Sequence, residues 1–176
     1  MSAGTALRAT ALVFTAAMLQ TVIVSSFVIG GGAPDLLLVV VVCLGLLRGS
    51  VPGAVFGFAG GLVVDLLTLD TLGIASLVLT LVGFWAGRYA ETTGRGRRLA
   101  PLAAVGVITV LASLFAFVLN FMLGVDVVAR HVLVTVLVPT LLLNLVLALP
   151  VHALVRSVVG GESAIEPSPE VEVVVR

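Results

Sequence analysis

Charged side chains divide this chain into apolar runs, and the lengths of those runs predict its elements. Arg8 precedes an uncharged segment from Ala9 to Ile29, which as a helix would cover about 30 Å, enough to span a bilayer core. This stretch is longer than the apolar part of a secretory leader and no small-residue cleavage site follows it, so it is expected to be retained. Gly30, Gly31, Gly32 and Pro34 then mark a turn, and Asp35 stands where it can cap the next helix. That second segment ends at Arg48 after roughly 15 residues, too few to cross an average bilayer upright. Two readings fit it: a span at a thin spot, or a re-entrant helix shielded by protein.

The third segment runs from Pro52, a residue suited to a first helical turn, to Leu69. A tight turn at Asp70 leads to a fourth from Thr71 to Gly87, and two long segments follow, Pro101 to Gly124 and His131 to Val155. Pro139 is expected to kink the last of these. The pattern predicts an all-α integral membrane protein: one bundle of six transmembrane helices, the second one short, over residues 1–159. Residues 160–176 are acidic, contain two prolines and lack a helical apolar period, which predicts a disordered tail.

Arginines orient the bundle. With a cytoplasmic amino terminus, six crossings put Arg8, Arg48, Arg88, Arg95, Arg97, Arg98, Arg156 and Arg176 on the cytoplasmic side and leave Arg130 alone outside, as the positive-inside rule requires. Both termini, including the tail, are then cytoplasmic. Omitting the short second segment would move Arg88 to Arg98 outside, so the charges support six crossings. Arg88, Arg95, Arg97 and Arg98 are candidates for contact with anionic lipid heads or a cytoplasmic partner.

Composition fits this picture and narrows the function. The chain is 60% hydrophobic and 10% charged, with mean hydropathy +1.31, whereas soluble domains carry about 25% charged residues. Its nine arginines balance nine acids and form no basic groove, so nucleic acid is not an expected partner. Cys43 is the sole cysteine, which leaves no disulfide or thiolate metal site. His131 and His152 fall at opposite ends, and no cofactor or metal is expected.

One pattern inside the third segment stands out. Gly53, Gly57 and Gly61 fall four apart and Asp65 continues the series, so one stripe of the helix has no bulk until it reaches a carboxylate. Such a stripe admits another helix's backbone, and in lipid close packing replaces the hydrophobic effect as the source of association. Gly83 and Gly87 form a second small pair. These six residues are the candidate helix-docking surface, for a partner's span or a second copy of the chain. Asp65, near the outer helix end, is expected to reach interfacial water or to serve as a protonated hydrogen-bonding partner between helices. Asn120 and Asn144 are expected to tie helices together. Asp70 and Asp126 fall in loops, so Asp65 has no facing intramembrane carboxylate and no acid-base pair is predicted. No HExxH, nucleophile with a base at matching depth, or phosphate-cradling loop is present, and the chain is not expected to be an enzyme.

The run from Pro34-Asp35 through Leu47-Arg48-Gly49, Pro52-Gly53, Gly57-Phe58, Gly60-Gly61, Asp65-Leu66 and Gly73 to Gly83 and Arg88 resembles the rod-shape-determining MreD family of bacteria, over roughly residues 5 to 156. The resemblance implies a multipass scaffold of the cell-wall elongation machinery in the cytoplasmic membrane, working beside the single-span MreC, the MreB filament and the wall synthases. A second class shares the size and six-helix plan: the substrate-capturing components of energy-coupling-factor vitamin transporters. Their Ala-x-x-x-Ala motif in the first helix is missing, because Ala3, Ala6, Ala9, Ala11, Ala16 and Ala17 are followed four residues later by Leu7, Thr10, Val13, Thr15, Gln20 and Thr21.

Overall fold

A computed structural model describes residues 3–22, 32–69, 72–93, 100–124 and 136–159. Among these residues there are six helices: α1 (Ala3–Val22), α2 (Leu36–Arg48), α3 (Ser50–Thr68), α4 (Ile74–Thr93), α5 (Ala100–Met122) and α6 (Leu137–Val159). They form one all-α bundle. Four of them, α1, α3, α5 and α6, are long and apolar enough to cross a membrane.

The shortest helix is at the centre. Asp35 caps α2 by accepting from the Leu38 N–H at 3.0 Å, and Leu37 through Leu46 are all buried. Four consecutive residues, Val39 to Val42, are β-branched and poor helix formers, so packing holds this helix rather than propensity. Neighbours on every side supply that packing, since α1, α3, α4, α5 and α6 all touch α2. A helix that is apolar all round belongs inside a bundle. Protein shields the short segment without making it re-entrant: its two ends bond Asn144 and Val159, about four turns apart along α6, so it carries the chain from one end of the bundle towards the other.

Gly49 alone joins α2 to α3, at φ 97°, a left-handed conformation that costs glycine little and a side-chain residue more. The third helix therefore begins at Ser50 rather than Pro52 and places Pro52 in its first turn, where the missing N–H is harmless. At the far end, Leu69 (φ 53°) and Gly73 (φ 102°) turn the chain into α4. That helix runs to Thr93, six residues beyond the Gly87 boundary drawn from the apolar pattern, so Arg88 is helical and not part of the connecting loop. The proline expectation also changes: Pro139 is the third residue of α6 as described, and Pro150 is its interior proline.

Candidate functional site

The glycine stripe is covered, and its cover is α4 of the same chain. A Cβ built on Gly53 would strike the Gly83 carbonyl, and one on Gly57 the Leu79 carbonyl. On Gly61 it would meet the backbone of Ala75 and Ser76, on Gly83 the Gly53 carbonyl, and on Gly87 the backbone of Gly49 and Ser50. All the obstacles are backbone atoms, so α3 and α4 lie antiparallel with their main chains in contact. Both small-residue sets belong to one seam, and no partner helix can enter it. Gly45 on α2 joins the same seam, its Cβ position 2.7 Å from the Gly83 carbonyl oxygen. The signal for it was present in the sequence, because Gly45 and Gly49 extend the four-residue series backwards from Gly53.

Asp65 closes the seam. It is 3% exposed. Its Oδ2 accepts from the Gly73 N–H (3.0 Å), the Ser76 N–H (3.1 Å) and the Ser76 hydroxyl (2.7 Å), while Oδ1 accepts from the Ala75 N–H at 3.1 Å. An ionised carboxylate only accepts, and all four of these contacts are donors. Asp65 on α3 thus satisfies the orphan N–H groups that begin α4 and meets the positive end of that helix's dipole. Interhelical bonding describes Asp65, but as an acceptor from four donors and not as the protonated partner expected from the sequence.

Polar contacts fasten both ends of α2 as well. At its start, Asn144 Oδ1 on α6 accepts from the Asp35 N–H (2.7 Å), and Asn144 Nδ2 donates to Thr109 Oγ1 on α5 (3.2 Å). From α1, Gln20 Oε1 accepts from the Leu36 N–H (2.8 Å) and Gln20 Nε2 donates to the Pro34 carbonyl (3.2 Å). Asn144 ties three helices together, whereas among the described residues Asn120 bonds only the Ala116 carbonyl of its own helix, at 2.8 Å. At the other end of α2, the Arg48 guanidinium donates to the Val159 carbonyl at the end of α6. Next to it, Ser50 donates its N–H (2.8 Å) and hydroxyl (3.0 Å) to Glu91 Oε1 on α4. These contacts put Arg48, Arg88 and Arg156 at one end of the bundle and Asp35 and Asp65 at the other. Arg95, Arg97, Arg98 and Arg130, with Asp70, Asp126 and His131, lie outside the described residues, as does the tail.

One sequence expectation needs correcting here. Asp65 does share a cavity with a second carboxylate: Asp35, Asp65, Gln20 and Thr68 line a space of about 280 Å³ between the helix ends. Both carboxylates are already committed, Asp65 to four donors and Asp35 to the cap of α2. Among the described residues no group of three or more His, Cys, Asp or Glu side chains could hold a metal ion.

Against known proteins, the family model described as rod shape-determining protein MreD matches residues 3–159, the whole described bundle. No curated protein and no solved structure matches the chain.

Proposed function

Because the chain belongs to the rod shape-determining protein MreD family, we propose that it is a non-catalytic multipass scaffold of the bacterial cell-wall elongation machinery. In this reading it sits in the cytoplasmic membrane with MreC and, through it, the MreB filament and the wall synthases. The observation that carries the reading is the family match over residues 3–159. The interior of the bundle is consistent with it. Its close-packing glycines and its buried carboxylate serve α3 and α4, so the surface left for partners is the outward apolar one. We place the end bearing Arg48, Arg88 and Arg156, and both termini, in the cytoplasm on the positive-inside rule.

One experiment tests role and orientation together. In a rod-shaped bacterium depleted of its own copy, cells are expected to round up, and a Gly94→Cys copy is expected to restore rods. That cysteine should stay unmodified by an impermeant maleimide in intact cells, and the native Cys43 is buried and adds no signal. Cells that keep their shape on depletion would sink the scaffold role. Labelling of a functional Gly94→Cys copy would sink the orientation.

A further inference from the structure

Between α4 and α5 runs an apolar groove of about 390 Å³ that the shape-determining role does not explain. Val78, Leu81 and Trp85 form one wall and Ile108, Leu111 and Phe115 the other. On each helix these positions fall at i, i+3 and i+7, so each wall is a single face about 10 Å long. Trp85 closes one end; it is 60% exposed and stands edge-on to Phe84. One turn beyond it is Arg88, whose side chain is 54% exposed.

We infer that this groove is a binding site for an anionic phospholipid, with part of an acyl chain between α4 and α5 and the headgroup phosphate on the Arg88 guanidinium. Apolar walls, then an indole, then a guanidinium are the order in which a lipid presents acyl chain, interface and phosphate. Arg88 is free to take a phosphate. Its one partner among the described residues is Glu91, at 3.5 Å, an exposed pair of little worth, and Glu91 Oε1 is already held by Ser50. A partner helix is the poorer occupant, because close approach in lipid needs small residues and these walls carry Trp, Phe, Leu and Ile side chains. The chain itself shows the contrast: where α3 receives a helix, it presents glycines.

Native mass spectrometry of the detergent-extracted chain, with dioleoylphosphatidylglycerol or dioleoylphosphatidylcholine added in parallel, tests the site. Wild type is expected to retain the anionic lipid about fivefold better, the worth of one arginine near an anionic headgroup. Arg88→Gln should abolish that preference. Leu111→Trp should lower retention of both lipids by filling the groove, while Leu142→Trp on the exposed face of α6 should not. Leu111 is 55% exposed and Leu142 59%, so neither indole has to displace the packed interior. If Leu111→Trp accumulates poorly, Arg88→Gln still decides the question. Equal retention of the two lipids by wild type overturns the proposal, and so does undiminished retention by Leu111→Trp. Disulfide-linked dimers of a Leu111→Cys chain would overturn it too, by showing that a second copy covers the groove.

Discussion

Gly57→Leu is expected to remove the folded protein from the membrane. The first atom it adds, Cβ, already collides with the Leu79 carbonyl, and three more carbons follow. Backbone cannot rotate out of the way as a side chain can, so α3 and α4 must separate along the seam from Ser50 to Asp65. Overpacking a flexible core costs about 1–3 kcal/mol; here the obstacle is rigid and the penalty should reach or exceed the top of that range. Gly61→Leu meets Ser76 and Ala75 backbone and should behave alike, whereas Gly4→Leu, with nothing within 4 Å, should be neutral. Gly106→Ala, whose Cβ would sit 3.6 Å from Leu145 Cδ2, should also be tolerated. The readout is the monodisperse fraction in detergent gel filtration together with the thermal midpoint. The glycine pattern by itself suggests normal accumulation with a lost partner; the seam implies lost accumulation. A Gly57→Leu chain that folds with an unchanged midpoint would mean that α3 and α4 do not meet this closely.

Asp65→Leu is the second severe change. It strips the acceptor from the Gly73, Ala75 and Ser76 N–H groups and from the Ser76 hydroxyl, at a buried position where each unsatisfied donor costs about 1–3 kcal/mol. Asp65→Asn can keep an oxygen where Oδ2 takes three donors and lose only the Ala75 contact, so its loss should be smaller. Ser76→Ala removes one hydroxyl donor and should cost about 1 kcal/mol. The expected order of thermal midpoints is wild type, Ser76→Ala, Asp65→Asn, then Asp65→Leu. If Asn proved as damaging as Leu, the negative charge facing the α4 dipole would matter more than the acceptor geometry.

How much of this was legible in the sequence depends on whether a feature is local. Run lengths and punctuation located all six helices, because Pro, Gly and charge act on their own neighbourhood. The Asp35 cap was legible for the same reason. The partner of the glycine stripe was not. Periodicity shows that a helix face lacks bulk, and whether the approaching backbone belongs to another chain or to the next hairpin arm is a tertiary fact. The reach of α4 to Thr93 was hidden similarly, since Arg88 and Glu91 read as loop until Ser50, 41 residues earlier in sequence, supplies donors to the carboxylate. The cavity shared by Asp35 and Asp65 depends on α2 lying at the centre, which no short apolar run announces.

If the proposed function is right, MreC meets this chain on its lipid-facing surface and not in the glycine seam, which α4 already fills. A photo-crosslinking residue placed in turn at Phe58 on α3, Leu114 on α5 and Val146 on α6, all exposed on the outside of the bundle, tests it in rod-shaped cells that depend on the tagged copy. The expected result is a discrete MreC adduct from at least one of the three positions. Rod-shaped cells in which all three positions yield only lipid or self adducts would contradict it.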